Sequence, residues 1–345
     1  AVYCWMDVGS AFEPRGLEGA AHFIEHLVFK GTEKYAMGQA AGTIEGLGGD
    51  LNAWTSFEET VFHATVPSAG VEGALDVLAD MLRHPRFDAE ELERERKVVL
   101  EEIRGGEDDP DMVITEATWA ACFAGQPYGR SVIGTMESVG ALPRAGLIDF
   151  YARHYMPANG RAAVARRFEG EHVRAAVEAR FSGGPARPDH APRRATRSTG
   201  GTTLGRRRFD SRVVRVAFPA PGHSDPTAPA FDVLATALGG GTGSPLVAEL
   251  SALSGVHSVS IDYEAEVGGG LLVAEVQVSP GAVRSTLERL TGLLAGARAV
   301  ASAEANATLP WRVITSIQVS LMSGPGILLS STWSLMVKSI SSSSK

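Results

Sequence analysis

Three residues near the start of the chain, His22, Glu25 and His26, have types and a spacing that suit metal-dependent hydrolysis. They occupy positions i, i+3 and i+4, which share one face of an α-helix, one turn apart. Two imidazoles at this spacing can bind one metal ion, and the carboxylate between them can reach a water molecule bound to that ion. The spacing therefore predicts a helix that carries a metal site with a general base beside it.

A five-residue match can also arise by chance, on an amphipathic helix that happens to carry two histidines and an acid. The apolar neighbours of the triplet favour a metal site, because a buried polar triplet is costly without a partner. These neighbours are Phe23, Ile24, Leu27, Val28 and Phe29. Catalytic zinc usually takes three protein ligands and leaves one position for water, so the site still needs a third ligand.

A second helix, predicted over residues 88–104, is the expected source of the third ligand. Most of its many acids should lie on a solvated face of the helix. Its last turns are more apolar than its first, so we expect Glu101 and Glu102 to be the acids that point inward. Glu95 lies seven residues before Glu102 and therefore on the same face.

Several separated motifs resemble the pitrilysin/insulinase family of zinc metallopeptidases, which includes the mitochondrial processing peptidase. The H-x-x-E-H spacing, the inverse of H-E-x-x-H, is the signature of inverzincins. The resemblance covers residues 1–180 well and residues 205–300 loosely. Its further motifs are the V-x-x-E segment that ends at Glu102, the run GGDLNAWT over residues 48–55, Pro127-Tyr128-Gly129 with Gly134, and the run YMPAN over residues 155–159.

The resemblance implies one zinc ion per chain, bound by His22, His26 and Glu102. Glu101 is the alternative third ligand, one position away from the best match. Glu95 matches a second acid that supports the site in this family, and we group it with the catalytic residues.

The resemblance also implies a zinc endopeptidase that hydrolyses peptides or unfolded polypeptide segments, with Glu25 as the general base on zinc-bound water. In similar peptidases an edge strand pairs with the substrate backbone. Asn52 and Ala53, in the strand predicted over residues 51–55, match the residues that contact substrate. Asn52 could instead simply cap a turn after Gly48-Gly49, and the family match makes substrate binding the preferred interpretation.

The elements that must position these residues form an α+β pattern rather than a regular βαβ alternation. With the resemblance, this pattern predicts two tandem related domains, each a mainly antiparallel sheet with helices packed on it, as in the metallohydrolase fold of the pitrilysin family. We expect a catalytic zinc-binding domain over residues 1–185 and a linker over residues 186–205. Residues 206–345 should form a second, inactive homologous domain, incomplete or atypical at its C-terminus.

Hydrophobic periodicity and turn residues place the individual elements. Strands are predicted at residues 1–8, 51–55, 60–66, 161–168, 213–218, 256–264 and 270–278. Helices are predicted at residues 17–29, 36–47, 70–83, 88–104, 108–123, 143–154 and 171–181, followed by three more around residues 231–238, after 245 and at 283–294. The order in the second half roughly repeats that in the first, which suggests duplication.

In the family, the half that completes the active site carries an Arg and a Tyr seven residues apart. The matching stretch here has Ser251 and Ser258 at those positions. The resemblance therefore implies a zinc-bearing half that faces a second pitrilysin-like half across a clam-shell chamber. That half, in a homodimer, a heterodimer or a missing fused segment, would supply the Arg/Tyr pair. The alternative is a non-catalytic structural or core subunit of such a complex, which the intact H-x-x-E-H motif disfavours.

Composition and charge limit the other function classes. The chain has 345 residues, of which 44% are hydrophobic and 21% charged, as in a globular protein. Its formal net charge of −8 argues against a nucleic acid partner. Cys4 and Cys122 do not make a disulfide framework and are expected to be buried free thiols. Residues 313–337 contain no charge, but their serines, glycines and proline argue against a membrane span.

The sequence gives little indication of a compartment. It begins at Ala1 without a signal peptide, and family members carry a further hairpin before its first strand. We therefore expect that the sequence could be a fragment whose true N-terminus carried a targeting signal. A soluble protein of the cytoplasm or periplasm fits the composition.

Overall fold

The computed structural model of the chain describes residues 1–165, 170–183, 201–206, 212–304 and 318–323. These residues form two sheets with helices packed against them. Each sheet has its own core of buried apolar side chains. This is the α+β architecture of two mainly antiparallel sheets that the sequence predicts.

The first sheet and its helices occupy the chain as far as residue 183. The strands are β1 (Val2–Met6), β2 (Asp50–Thr55), β3 (Thr60–Thr65) and β4 (Gly160–Val164). The helices are α1 (Ala20–Val28), α2 (Gln39–Gly46), α3 (Val71–Arg83), α4 (Ala89–Gly106), α5 (Pro110–Cys122), α6 (Met136–Ala141), α7 (Arg144–His154) and α8 (Gly170–Phe181). Helix α6 is not predicted from the sequence, because its six residues are too few to establish an apolar period.

The second part repeats the order of the first. The strands are β5 (Gly201–Arg206), β6 (Arg212–Ala220), β7 (Val256–Ala265), β8 (Gly270–Val278) and β9 (Gln318–Ser323), and the helices are α9 (Ala228–Gly239), α10 (Pro245–Ser251) and α11 (Val283–Glu304). The succession of one strand, two helices, two strands and a helix runs from β1 to α3 and again from β6 to α11. This shared succession supports the duplication that the sequence suggests.

The first sheet has the strand order β2-β3-β1-β4, and all its pairs are antiparallel. Strand alternation turns Val2, Cys4 and Met6 of β1 into the core, where Cys4 lies opposite Phe62 of β3. Strand β2 pairs with β3 and, among the described residues, its other edge has no partner strand. The sheet thus offers one edge strand that stands close to α1.

The second sheet has the order β5-β9-β6-β8-β7, in which β5 and β9 run parallel and the other pairs are antiparallel. The order β7-β8-β6 matches β2-β3-β1 in the first sheet. Strand β5 lies at the end of the segment predicted as a linker, and residues 186–200 of that segment lie outside the described residues. The predicted domain boundaries therefore stay a prediction.

Helix α5 comes from the first part of the chain but packs against the second sheet. Its apolar residues join a buried cluster with strands of that sheet: Trp119, Cys122, Phe123, Ala217, Leu271 and Val273. The buried Arg215 guanidinium of β6 donates to Thr115 of α5 and forms an ion pair with Glu264 of β7. This contact joins the two parts of the chain through both apolar burial and charge.

Two further expectations from the sequence concern the cysteines and the C-terminal tail. Cys4 and Cys122 are buried free thiols, as predicted. The uncharged tail over residues 313–337 lies outside the described residues except for β9. Among the helices that are described, none has the length and apolar character that crossing a bilayer requires.

Candidate metal centre

Helix α1 begins at a position that only glycine suits. Gly19 has a φ of 92°, in the left-handed region, and a Cβ there would lie 2.8 Å from the carbonyl oxygen of Ile133. A glycine cannot cap the helix with a side chain, and Glu13 does so instead. Its Oε2 accepts a hydrogen bond from the N–H of Gly19 at 2.9 Å, and its Oε1 accepts one from Ala21 at 2.8 Å. Glu13 is buried, and burial raises the pKa of its carboxyl to about 8, although the hydrogen bonds from Ala21 and Gly19 act to lower it.

The polar face of α1 lies against α4. Most of α1 is buried in the first core. His22 and His26 lie four residues apart along the remaining face, and Lys30 continues this row four residues later, just beyond the end of α1. The opposing face of α4 presents Glu95 and Glu102, seven residues apart. The two rows meet in alternation, since Glu102 lies beside both histidines and Glu95 lies beside His26 and Lys30.

The structure brings three of the predicted site residues together in a group that could bind a metal. His22 Nε2 lies 3.7 Å from Glu102 Oε1, and His26 Nε2 lies 3.5 Å from Glu102 Oε2. One ligand atom from each residue lies within 4.8 Å of the others. Ligand atoms about 2.0–2.2 Å from a tetrahedral zinc ion stand roughly 3.3–3.6 Å apart, so the donor set suits zinc and the two separations from Glu102 are close to those of a zinc site.

The structure separates the two alternatives for the third ligand. The Glu101 side chain is 70% exposed and pairs with Arg104 on the solvent side of α4. The expectation that Glu101 also points inward is therefore wrong. The buried face of α4 is formed by Leu92, Glu95, Val99 and Ile103. Glu102 borders that face. Glu101 does not, because Glu101 lies about 100° further around the helix than Glu102.

Glu95 is buried between α1 and α4 and contacts two basic groups. Its Oε2 lies 3.3 Å from His26 Nδ1, and its Oε1 lies 2.9 Å from Lys30 Nζ. A histidine that binds a metal through Nε2 commonly donates its Nδ1–H to a carboxylate, which fixes the tautomer and the ring orientation. Glu95 is placed to accept this hydrogen bond from His26 and so to orient its ring.

The electrostatics of His22 and Glu102 match what metal binding needs. Burial lowers the pKa of His22 to about 4, and the neighbouring His26 adds to this, whereas Glu102 opposes it. Burial also acts to lower the pKa of His26, but the hydrogen bonds with Glu102 and Glu95 and the charges of Glu102 and Glu25 outweigh it, and the pKa is raised. The hydrogen bond with His26 lowers the pKa of Glu102. A neutral His22 and an ionised Glu102 are the forms that ligate metals.

Glu25 is held by a contact with the edge strand. Thr55 Oγ1, at the end of β2, donates a hydrogen bond of 2.5 Å to Glu25 Oε2. Burial raises the pKa of Glu25, and the Thr55 hydrogen bond partly offsets this. A carboxylate with a raised pKa next to a metal site can both accept and donate a proton near neutral pH.

The predicted substrate residues lie on opposite faces of β2. Ala53 shares its face with Thr55 and packs against the first core, on the side of α1. Asn52 is exposed on the other face, and its Oδ1 accepts a hydrogen bond from the N–H of Ala53 at 2.8 Å. The described residues show no hydrogen bond from Asn52 to the turn at Gly48-Gly49, so nothing in them supports the interpretation as a turn cap.

The corresponding part of the second sheet carries no such group. Helix α9 follows β6 as α1 follows β1, and its buried residues are Ala228, Phe231, Ala235 and Leu238. Ser251 and Ser258, which stand where the resemblance expects Arg and Tyr, are both exposed. Within the described residues, His22, His26 and Glu102 form the one group suited to a metal ion.

Three residues of this centre were not predicted from the sequence: Glu13, Lys30 and Thr55. Strand alternation could have found Thr55, because it shares a face with Ala53. The spacing of four residues from His26 could have indicated Lys30. No local pattern marks Glu13, which lies in a loop and reaches the first turn of α1 only through the tertiary fold.

Known proteins similar to this chain show the family to which it belongs. The family model for insulinase (peptidase family M16) matches residues 1–136, and the model for the peptidase M16 inactive domain matches residues 141–304. A protein of Mycobacterium leprae (strain TN) named as an uncharacterized zinc protease is 36% identical over 303 residues, which are 86% of this chain and 68% of that protein. The chain belongs to peptidase family M16.

Two further M16-like proteins extend the comparison. A probable mitochondrial-processing peptidase subunit beta of Arabidopsis thaliana is 37% identical over 169 residues, which cover 49% of this chain and 32% of that protein. The crystal structure of a protease from Helicobacter pylori has a TM-score of 0.79 and 22% identity, covering 86% of this chain and 74% of that one. At this identity the likeness concerns the fold, which is that of M16 proteins with two related domains.

The names of the M16 relatives indicate a zinc-dependent peptidase at the general level. This chain spans only 63% of the length of a second mycobacterial relative, from Mycobacterium bovis, also named an uncharacterized zinc protease. The activity, substrates and partners of the whole protein are therefore matters for proposal. The match of residues 141–304 to an inactive domain agrees with the apolar character of α9.

Replacing Glu13 tests whether the cap on α1 stabilises this centre. Glu13→Gln keeps the shape but leaves one acceptor oxygen for two N–H groups. We expect the free energy of unfolding of the metal-free protein to fall by about 1–3 kcal/mol, measured by urea denaturation. Glu45→Gln, on the exposed side of α2, is the control and should change it by less than about 0.5 kcal/mol. Equal stability of the two variants would contradict the capping role.

Proposed function

We propose that this chain is the zinc-bearing half of an M16 endopeptidase that hydrolyses peptides or unfolded polypeptide segments. One zinc ion per chain would be bound by His22, His26 and Glu102. The observation that carries the proposal is the convergence of these three side chains at separations that suit a tetrahedral ion. The M16 relative from Mycobacterium leprae is named a zinc protease, which supports the choice of metal.

Each residue has a defined task in the proposed reaction. Zinc bound there supplies a Lewis acid that polarises the scissile carbonyl and lowers the pKa of water. Glu25 accepts the proton of the attacking water and passes it to the leaving amine. Thr55 occupies Oε2 of that carboxylate, so Oε1 is the oxygen available for the proton. Glu95 orients the His26 ring through Nδ1.

Strand β2, whose outer edge has no partner among the described strands, is the proposed substrate-binding strand. A peptide added to this edge would pair with the backbone around Asn52 and Ala53, in the manner of β-augmentation. The Thr55–Glu25 hydrogen bond joins the end of this strand to the general base, so a peptide paired along β2 would pass close to Glu25. Backbone pairing also agrees with a broad substrate class, because main-chain hydrogen bonds depend little on which side chains the peptide carries.

We further propose that the active site is completed by a second pitrilysin-like half, which supplies an Arg/Tyr pair. In this chain residues 1–185 would be the catalytic domain and residues 206–345 the inactive one. The exposed Ser251 and Ser258 cannot replace a guanidinium and a phenol. The Arabidopsis relative is named as a beta subunit, which supports assembly from two halves.

The first prediction concerns the third ligand. Glu102→Gln should weaken zinc binding by more than about tenfold, because an amide is a poor zinc ligand. Glu101→Gln is the matched control, one residue away on the exposed side of the same helix, and should leave zinc affinity unchanged. Competition with a chromophoric chelator measures both. A greater loss for Glu101→Gln would reverse the assignment.

The second prediction separates binding from catalysis. Glu25→Gln removes the proton acceptor while keeping the shape of the side chain. We expect zinc binding to be retained and, in an assembly with the second half that cleaves a quenched peptide, the cleavage rate to fall about 10²–10⁴-fold. Chelator-treated wild-type protein gives the background of the assay. Cleavage at the wild-type rate would show that Glu25 is not the base.

The third prediction concerns the second half. The chain alone, held monomeric and loaded with zinc, should cleave the quenched peptide weakly or not at all. Light scattering gives the oligomeric state during the assay, and activity that rises with protein concentration would indicate a homodimer. Full activity of the monomer would contradict the need for a second half. Zinc binding without hydrolysis in any assembly would favour a non-catalytic core subunit of a pitrilysin-family complex.

A further inference from the structure

We infer that Lys30 is a positioning residue for the metal centre, because its ammonium group fixes Glu95 and Glu95 in turn fixes the His26 ring. This inference rests on the proposed function, since it concerns how His26 is presented to the ion. Lys30 itself does not contact the metal group. The family resemblance assigns it no role.

Two consecutive side-chain contacts, from Lys30 to Glu95 and from Glu95 to His26, carry the inference. Lys30 lies four residues after His26, just beyond the end of α1, where its backbone N–H donates to the carbonyl of Leu27 at 3.0 Å. This position continues the row of His22 and His26 toward α4. Its Nζ lies 2.9 Å from Glu95 Oε1, and the other oxygen of the same carboxylate lies 3.3 Å from His26 Nδ1.

The burial of Glu95 explains why a second partner matters. The Glu95 side chain is only 7% exposed, so water does little to satisfy its two oxygens. One hydrogen bond to His26 leaves the carboxylate free to rotate and leaves Oε1 without a partner. Among the ion pairs of the described part of the chain, Lys30 is the cation that reaches Oε1. Holding Oε1 directs Oε2 at His26 Nδ1, which leaves Nε2 facing Glu102.

Lys30 is more exposed than Glu95 and His26, the other two residues in this series of contacts. The Lys30 side chain is 31% exposed, so its substitution does not create a buried cavity. The ammonium also lies at the C-terminal end of α1, where the macrodipole favours a cation. Lys30 can therefore be replaced without disturbing the core, and the effect on the metal can be measured separately.

A small set of variants tests the inference by zinc affinity rather than by peptidase activity. Lys30→Met should weaken zinc binding about tenfold, the lower end of the effect of removing an outer partner of a metal ligand. Lys30→Arg keeps a donor and a charge and should stay within about threefold of wild type. Lys34→Met is the matched control, because Lys34 is an exposed lysine that lies over the Tyr35 ring. It should leave zinc affinity unchanged.

A double-mutant cycle tests whether Lys30 acts through Glu95. Glu95→Gln keeps an acceptor for His26 Nδ1 and removes the buried charge. In that background Lys30→Met should have little further effect on zinc affinity, so the two losses should not add. The double variant also keeps the test open if Lys30→Met alone folds poorly, because it leaves no unpaired buried carboxylate. Circular dichroism of the metal-free proteins checks the fold.

The outcomes distinguish this inference from the proposed function. If the wild-type chain does not bind zinc, the proposed function fails whatever Lys30 does. If the wild type binds zinc and Lys30→Met binds it as tightly, the positioning role is overturned while the zinc site stands. A full additional loss of affinity from Lys30→Met in the Glu95→Gln background would also overturn it. The visible spectrum of the cobalt-substituted proteins gives a second measure, and it should change in Lys30→Met and not in Lys34→Met.

Discussion

The candidate metal centre depends on the contact between α1 and α4. Basic and acidic side chains alternate in this partly buried interface. Two histidines on α1 and a lysine just beyond its end meet two carboxylates on α4, and each carboxylate lies between two of these basic groups. Removing charged groups from water is costly, and the cost is recovered only when each group has a partner at close range. The rest of the fold holds the two helices in the register that this pairing requires.

Two contacts from outside the helix pair hold α1 in place. Glu13 binds the first turn of α1 from a loop, and Thr55 connects Glu25 to the edge strand β2. The base, the metal group and the edge strand are thus positioned by one helix. In the second sheet the corresponding helix α9 is held by apolar residues such as Phe231 and Leu238. The same succession of elements therefore serves as a site in one part and as a core in the other.

The accuracy of the sequence predictions follows the strength of the local patterns. Helix α3 has a full apolar period and was predicted nearly to its ends. Helix α6 has six residues and no such period, and was missed. The inward direction of Glu101 was wrong because the apolar count of the last turns included Val98, which is 49% exposed. Counting the buried positions at spacings of three and four would have favoured Glu102 alone.

The sequence by itself determined the helical spacing of His22, Glu25 and His26, the alternation that makes β2 a strand, and the α+β class with a repeated order of elements. These are local properties, since helix and strand periodicities depend on residues within a few positions of one another. Only the tertiary structure decided that Glu95 and Lys30 meet, that Glu13 caps α1, and that α5 covers the second sheet. Such contacts join residues far apart in the chain, and they depend on which faces of the elements pack together.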